Sequence, residues 1–310
     1  MARTARAKPS RTREQRAALW RAIAIHTLAA GLFVGLWIAG LSLLRWHVAT
    51  RLAFPPEPPR VVLKNRPVWM SDYLADQLAG LVRPRGAHSA MDRQLLQDAV
   101  LQLSRNPWIR QVHRVARRYG SGPGDTLEID CEYRAPVALV ASGDVYWLVD
   151  GEGVKLPESF TDDEVERIQY GRDGKVNIRV IDGVRSIPPT DGKRWAGGDL
   201  AAGIDMVKLL HGRDFAEEIL RVDVSNFDRK KPQEAQLVLI TRYGTQIKWG
   251  EPPATRFGVE LPPAVKLSRL ATIRDRHERV DAGRPWLDIR FEHVTYPIEE
   301  TPVVRAEHRR

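Results

Sequence analysis

A chain of 310 residues with 48 Lys and Arg, 39 Asp and Glu, a net charge of +9 and one cysteine suggests a nucleic-acid binder until the charge is placed. Residues 1–21 hold seven basic groups and one acid, the last ten residues carry a further +2, and residues 45–300 are close to neutral at +1. A basic domain surface, the footprint of phosphate binding, is therefore excluded, and a lone cysteine excludes an intrachain disulfide.

The first predicted element is an uncharged apolar run, Ala22 to Leu44, in which His26 is the only titratable group. As a helix it is roughly 35 Å long, enough to cross a ~30 Å hydrocarbon core. It is too long for a signal-peptide core and ends in Leu44-Arg45-Trp46-His47 rather than in small residues, so it reads as a permanent anchor. The basic head, residues 1–21, resists translocation and is expected in the cytoplasm, with residues 45–310 outside. Gly31 and Gly35 form a GxxxG pair, ordinary in such helices and also able to pack against another one.

Residues 45–60 form a neck with four prolines between Arg51 and Arg60, a stiff spacer. About 250 residues follow, enough for two domains. In the first, 61–134, Val61–Leu63 is a short strand and Ser71 an N-cap. The helix after it has Tyr73, Leu74, Leu78, Leu81 and Val82 on one face, ending at Pro84 and Gly86. A second helix spans Met91–Ser104. Strands run from Trp108 to Tyr119 and from Thr126 to Arg134, separated by a glycine-rich turn. The second strand alternates, placing Leu127, Ile129 and Cys131 inward, so Cys131 is a buried structural thiol. Two helices on one face of a small sheet make this domain α+β.

The second domain, 135–294, begins with strands Ala135–Ala141 and Tyr146–Val149, the turn Asp150–Gly153, and strand Val154–Leu156. Glu158–Lys175 reads as an inserted acidic loop. Strand Ile178–Ile181, helix Leu200–Leu210, and strands Ile219–Val224, Gln236–Thr241 and Gln246–Trp249 follow. Helix Pro262–Arg279, with Val265, Leu267, Leu270 and Ile273 on its apolar face, precedes a final strand, Trp286–Val294. A tail, 295–310, completes the chain.

The motifs occur in a telling order. Asn106-Pro107-Trp108-Ile109 leads to Thr126-Leu127-Glu128-Ile129, then to Glu132-Tyr133-Arg134-Ala135-Pro136-Val137-Ala138 and Trp147-Leu148-Val149-Asp150-Gly151. Downstream come Arg179–Gly183, the Tyr243–Gly250 hairpin and Trp286-Leu287-Asp288-Ile289-Arg290-Phe291. This series resembles the FtsQ/DivIB family of bacterial cell-division proteins over roughly residues 20–295. The resemblance implies a single membrane helix, a POTRA-like domain and a second mixed α/β "β-domain". It departs from the family at Lys64–Pro67, in the longer loop before Thr126, in the acidic insertion and in the tail.

The resemblance further implies a non-enzymatic scaffold at the division septum of the cytoplasmic membrane, whose β-domain docks an FtsB/DivIC-like and FtsL-like pair. Partner binding is accordingly assigned to Trp286, Asp288, Arg290, Phe291, Glu292, Val294, Tyr296 and Ile298. If the terminal strand lies at a sheet edge, its backbone is open to a partner's strand, and proline at Ile289 or Phe291 is expected to abolish capture. No catalytic, cofactor or metal site is expected: the eight histidines are scattered, and Asp150 and Glu152 sit in a turn where acids are ordinary. Two other readings stay open. One is a POTRA-type adaptor for envelope secretion or assembly; the other is a membrane-anchored hydrolase of unrecognised type.

Overall fold

The computed structural model describes residues 13–51, 59–84, 93–119, 125–171, 176–255 and 259–297. Most of the basic head and proline neck, the glycine-rich turn and Ile298 with the rest of the tail lie outside them. The protein is α+β. It begins with helix α1, Arg13–Arg51, longer than the apolar run at both ends because a helix propagates through good formers such as arginine and glutamine. Its stretch Trp20–His47 is long and apolar enough to cross a membrane.

After α1 come β1 (Arg60–Lys64), α2 (Asp72–Val82), α3 (Arg93–Ser104), β2 (Ile109–Tyr119) and β3 (Asp125–Tyr133). Ser71 caps α2, its hydroxyl accepting the Leu74 N–H at 3.2 Å. The buried face of α2 is Leu74, Ala75, Leu78, Ala79 and Val82; Tyr73 and Leu81, expected there, are exposed. Side chains at i+4 and i+8 from Leu74 hold the inner stripe, and Tyr73 starts the neighbouring stripe. β1, β3 and β2 form one sheet, in that order. Leu127, Ile129 and Cys131 are buried as the alternation predicts. Burial, aided by the nearby Asp130 charge, pushes the Cys131 thiol up to about 11, which leaves it protonated and unreactive at neutral pH.

The remaining strands are β4 (Pro136–Ser142), β5 (Val145–Asp150), β6 (Lys155–Phe160), β7 (Arg179–Asp182), β8 (Ile219–Asp223), β9 (Leu237–Thr241), β10 (Gln246–Gly250) and β11 (Trp286–Asp288). They form an eight-stranded mixed sheet in the order β11-β10-β9-β8-β7-β4-β5-β6. β4–β7, β7–β8 and β10–β11 are parallel pairs. The crossover from β7 to β8 runs through α5 (Gly198–Leu210), the crossover from β10 to β11 through α6 (Pro263–His277), as parallel neighbours require. The core lies between these helices and the sheet: Ile204, Val207 and Leu210 of α5 and Leu267 and Leu270 of α6 pack with Val140, Ile181, Val222, Leu239, Ile247, Trp249 and Leu287. Val265, expected on that face, is 43% exposed.

The acidic stretch is not a loop. β6 extends to Phe160, and α4 spans Asp162–Gln169; only 172–175 lie outside the described residues. The acids form the first turn of α4, where carboxylates meet the positive end of the helix dipole. The Glu164 carboxylate accepts the Thr161 N–H at 3.0 Å and its hydroxyl at 3.1 Å, a capping box. Those bonds, the backbone one first, hold Glu164 below the usual carboxylate range. Asp162 receives the Tyr146 hydroxyl at 2.5 Å.

The chain divides into two compact units: Met1–Lys64 with Asp76–Val100 and Val115–Ile129, and Asn65–Ala75 with Leu101–Arg114 and Asp130–Arg310. Within the second, the outer side of β6 is covered at its start. Lys155 donates its N–H to the Lys193 carbonyl at 3.0 Å and accepts the Gly192 N–H at 2.8 Å, and Pro157 removes a further donor.

Candidate functional site: the terminal sheet edge

β11 is an edge strand of three residues, and Trp286–Val294 is not a continuous strand. The reason lies at Asp288. Its carboxylate accepts the backbone N–H of Arg290 at 3.1 Å and the Arg290 guanidinium at 2.7–3.1 Å, an i→i+2 closure that turns the chain out of the ladder. From Ile289 the chain loops over α6, where Arg269 gathers it in. The Arg269 guanidinium donates to the carbonyls of Phe291 and Glu292, the latter at 2.6 Å. The Leu261 N–H bonds the Arg290 carbonyl at 2.9 Å.

The chain then returns alongside β11. Asp288 N–H donates to the Thr295 carbonyl at 2.8 Å, and Thr295 N–H to the Asp288 carbonyl at 3.2 Å. This is one hydrogen-bonded antiparallel pair. Backbone groups alternate in direction along an extended chain, so those of Val294 and Tyr296 turn away from β11. Among the described residues, the outermost row on this side of the sheet is the returning segment.

The assigned residues fall into different settings. Trp286 is half-buried, with the Lys248 ammonium 4.6 Å from its ring. Phe291 and Tyr296 are 49% and 47% exposed, the first 5.1 Å from the Arg290 guanidinium and the second 4.8 Å from that of Arg284. Glu292 is exposed and Val294 half-buried against the core. Asp288 is 7% exposed, its carboxylate spent on Arg290. Ile298 lies outside the described residues. Leu287 and Ile289 belong to the core.

Proline at Ile289 is therefore no test of capture. The Ile289 N–H points inward to the Lys248 carbonyl at 3.4 Å and its side chain is wholly buried, so proline there would damage the domain itself. Phe291 lies beyond the strand. Arg269 organises the whole segment yet drew no attention in the sequence, because a charge on an amphipathic helix reads as a solvated face.

Burial pushes the Asp288 carboxyl up, but the hydrogen bonds and charge of Arg290 outweigh it and hold it below the ordinary range. A depressed carboxylate adds stability above its unfolded pKa, ~3.9, and loses it as pH falls through the lower folded value. Asp288→Asn is thus expected to unfold at lower urea than the parent at pH 7, by about 2 kcal/mol. The gap should shrink below about pH 4 as the parent's own carboxylate protonates. A gap that stays constant from pH 7 to pH 3 would rule out the ion pair as its source.

No protein-family model matches the chain, and neither does any curated protein. No group of three or more His, Cys, Asp or Glu side chains that could hold a metal occurs among the described residues. The pair Asp150/Glu152 organises a turn. Asp150 accepts the N–H groups of Glu152 and Val154, both at 2.8 Å, and Gly153 takes φ +76°, a conformation suited to glycine.

Proposed function

We propose that the chain is a single-pass scaffold of the bacterial division machinery, resembling the FtsQ/DivIB family, with its head in the cytoplasm and its folded part outside. It holds an FtsB/DivIC-like and FtsL-like pair at the septum and so governs septal wall synthesis without chemistry of its own. One observation carries this reading: beside the last strand, β11, the chain returns so that Thr295 pairs with Asp288 while the backbone groups of its neighbours Val294 and Tyr296 turn away from β11. Such a row can accept a partner's strand by augmentation. The exposed rings of Phe291 and Tyr296 beside it offer anchoring area. The apolar helix near the N-terminus and the motif order support the same reading.

Imaging and capture test it together. A fluorescent tag on the cytoplasmic head should give a mid-cell band before constriction, and the chain should copurify with the FtsB/DivIC-like and FtsL-like partners. Tyr296→Pro removes an outward donor while leaving β11 and the core untouched, and it is expected to lower capture more than about tenfold. An even membrane signal throughout the cell cycle would sink the division reading and favour an envelope adaptor. Full capture by folded Tyr296→Pro would sink the edge-augmentation mechanism alone.

A further inference from the structure

α5 and α6 pack on one face of the eight-stranded sheet. On β9, Leu237 and Leu239 enter that core, so the alternating Val238 and Ile240 face the other way, both half-buried. The register sets Asp223 of β8, Val238, and Lys248 of β10 side by side across the strands. With Ile240 they floor a depression of about 390 Å³ walled by residues 225–236. That wall is stiff. The Asn226 amide donates to the carbonyls of Lys231 at 3.0 Å and Ala235 at 3.1 Å and accepts the Lys231 N–H at 2.8 Å. Lys231 and Glu234 on the wall pair with each other at 3.4 Å. The two charges on the floor have no ion-pair partner among the described residues. The Asp223 carboxylate accepts the Ser225 N–H at 2.8 Å, and the Lys248 ammonium lies 4.6 Å from the Trp286 ring. Asp288, opposite Lys248 in the row, is held by Arg290 and feels Lys248 only at longer range. From the β11 edge inward the floor therefore runs base, apolar pair, acid.

We propose that the chain's own tail, residues 298–310, lies across this face. Sequence order and reach select that occupant. Beyond Pro297 the tail carries Glu299 and Glu300, then Val303 and Val304, then a basic stretch with Arg305, Arg309 and Arg310 around Glu307. Acid, apolar pair and base thus meet base, apolar pair and acid in the same direction. The tail follows the segment paired beside β11 at Thr295, which stands four strand spacings from β8 in the sheet order, roughly 19 Å. Arg305 is eight residues past Pro297, up to ~27 Å of extended chain, so every group reaches its match. Exposed charge pairs are weak singly. A tether this short nevertheless holds the tail at high effective concentration over the sheet, so a seat too weak for a free peptide is filled. The stiff wall and strand floor are already ordered, and only the tail loses freedom on seating. The inference does not rest on the division reading.

A photoreactive benzoylphenylalanine in place of Val304, in the full chain held in nanodiscs, reports the seat. On irradiation it should cross-link to residues 236–248, and a mixture of isotopically light and heavy copies should show the link within one molecule. Reversing the acids, Glu299→Lys with Glu300→Lys, changes none of the sheet's own residues and should lower that cross-link roughly fivefold. Links that map elsewhere or never form would overturn the proposal. Links that join light to heavy copies would overturn it too, by making a second copy's tail the occupant. So would a yield unchanged by the reversal, since apolar adhesion alone does not read the order of charges.

Discussion

Arg134→Ala should lower the unfolding free energy by about 3 kcal/mol or more. The guanidinium is 15% exposed and lies 2.6 Å from the Asp150 carboxylate, itself 6% exposed, and 3.1 Å from Glu152. Arg110 joins the same cluster from the start of β2, bonding Glu132 at 2.6 Å and Glu152 at 2.5 Å. The hydrogen bond from Arg134, with the charge of Arg110 behind it, holds Glu152 below the ordinary carboxylate range. Removing Arg134 strands Asp150 as a buried anion at the hinge of the β5–β6 turn, where it also holds two backbone N–H groups. Both acids are reached by one guanidinium nitrogen, Nη1; lysine keeps the charge but on a shorter, more strongly hydrated ammonium, so Arg134→Lys should fall between parent and alanine. Urea unfolding of the three proteins checks the order; an alanine variant as stable as the parent would show the cluster to be superficial.

Lys266→Ala is expected to cost as much. Lys266 is 2% exposed and carries its ammonium to the Trp249 carbonyl at 2.6 Å and to Glu260, 10% exposed, at 2.7 Å. Burial lowers its pKa, with Glu260 opposing. Glu260 in turn accepts the Glu251 N–H at 2.9 Å and packs so closely on Gly250 (φ +93°) that a Cβ there would fall 1.9 Å from its carboxylate. Alanine leaves that carboxylate unpaired in a dry setting, about 3–5 kcal/mol. The double change Lys266→Met with Glu260→Gln keeps the volume and the acceptor while removing both charges, so it should regain most of the loss. If the double variant is no more stable than Lys266→Ala, packing rather than the stranded charge sets the cost.

The sequence disclosed elements wherever side-chain period and burial agree. β3 alternates cleanly over Leu127, Ile129 and Cys131, and α5 repeats Ile204, Val207 and Leu210, so both stand within two residues of where they were expected. Two elements escaped for physical reasons. The helix Asp162–Gln169 buries only Val165 and Gln169, too thin an apolar stripe to show through its acids. Alternation of Leu287, Ile289 and Phe291 promised a long last strand, but a pattern of apolar residues carries no sign that Asp288 will bend the chain by capturing Arg290. The return of Thr295 to Asp288 is likewise a pairing between a loop and a strand, invisible to any local period. The expected edge strand is thus three residues long, and the outer row beside it comes from the returning segment around Thr295.

The covered start of β6 has a consequence for self-assembly. A sheet with two open ends can stack head to tail with copies of itself, and because such contacts do not close on themselves they grow into filaments. Here the start of β6 is already occupied, Lys155 being bonded to Gly192 and Lys193, and Pro157 lacks a donor, so a strand approaching that end meets a shortened and interrupted row. Each copy thus offers strand-to-strand growth a poorer template at its β6 end than a regular open edge would.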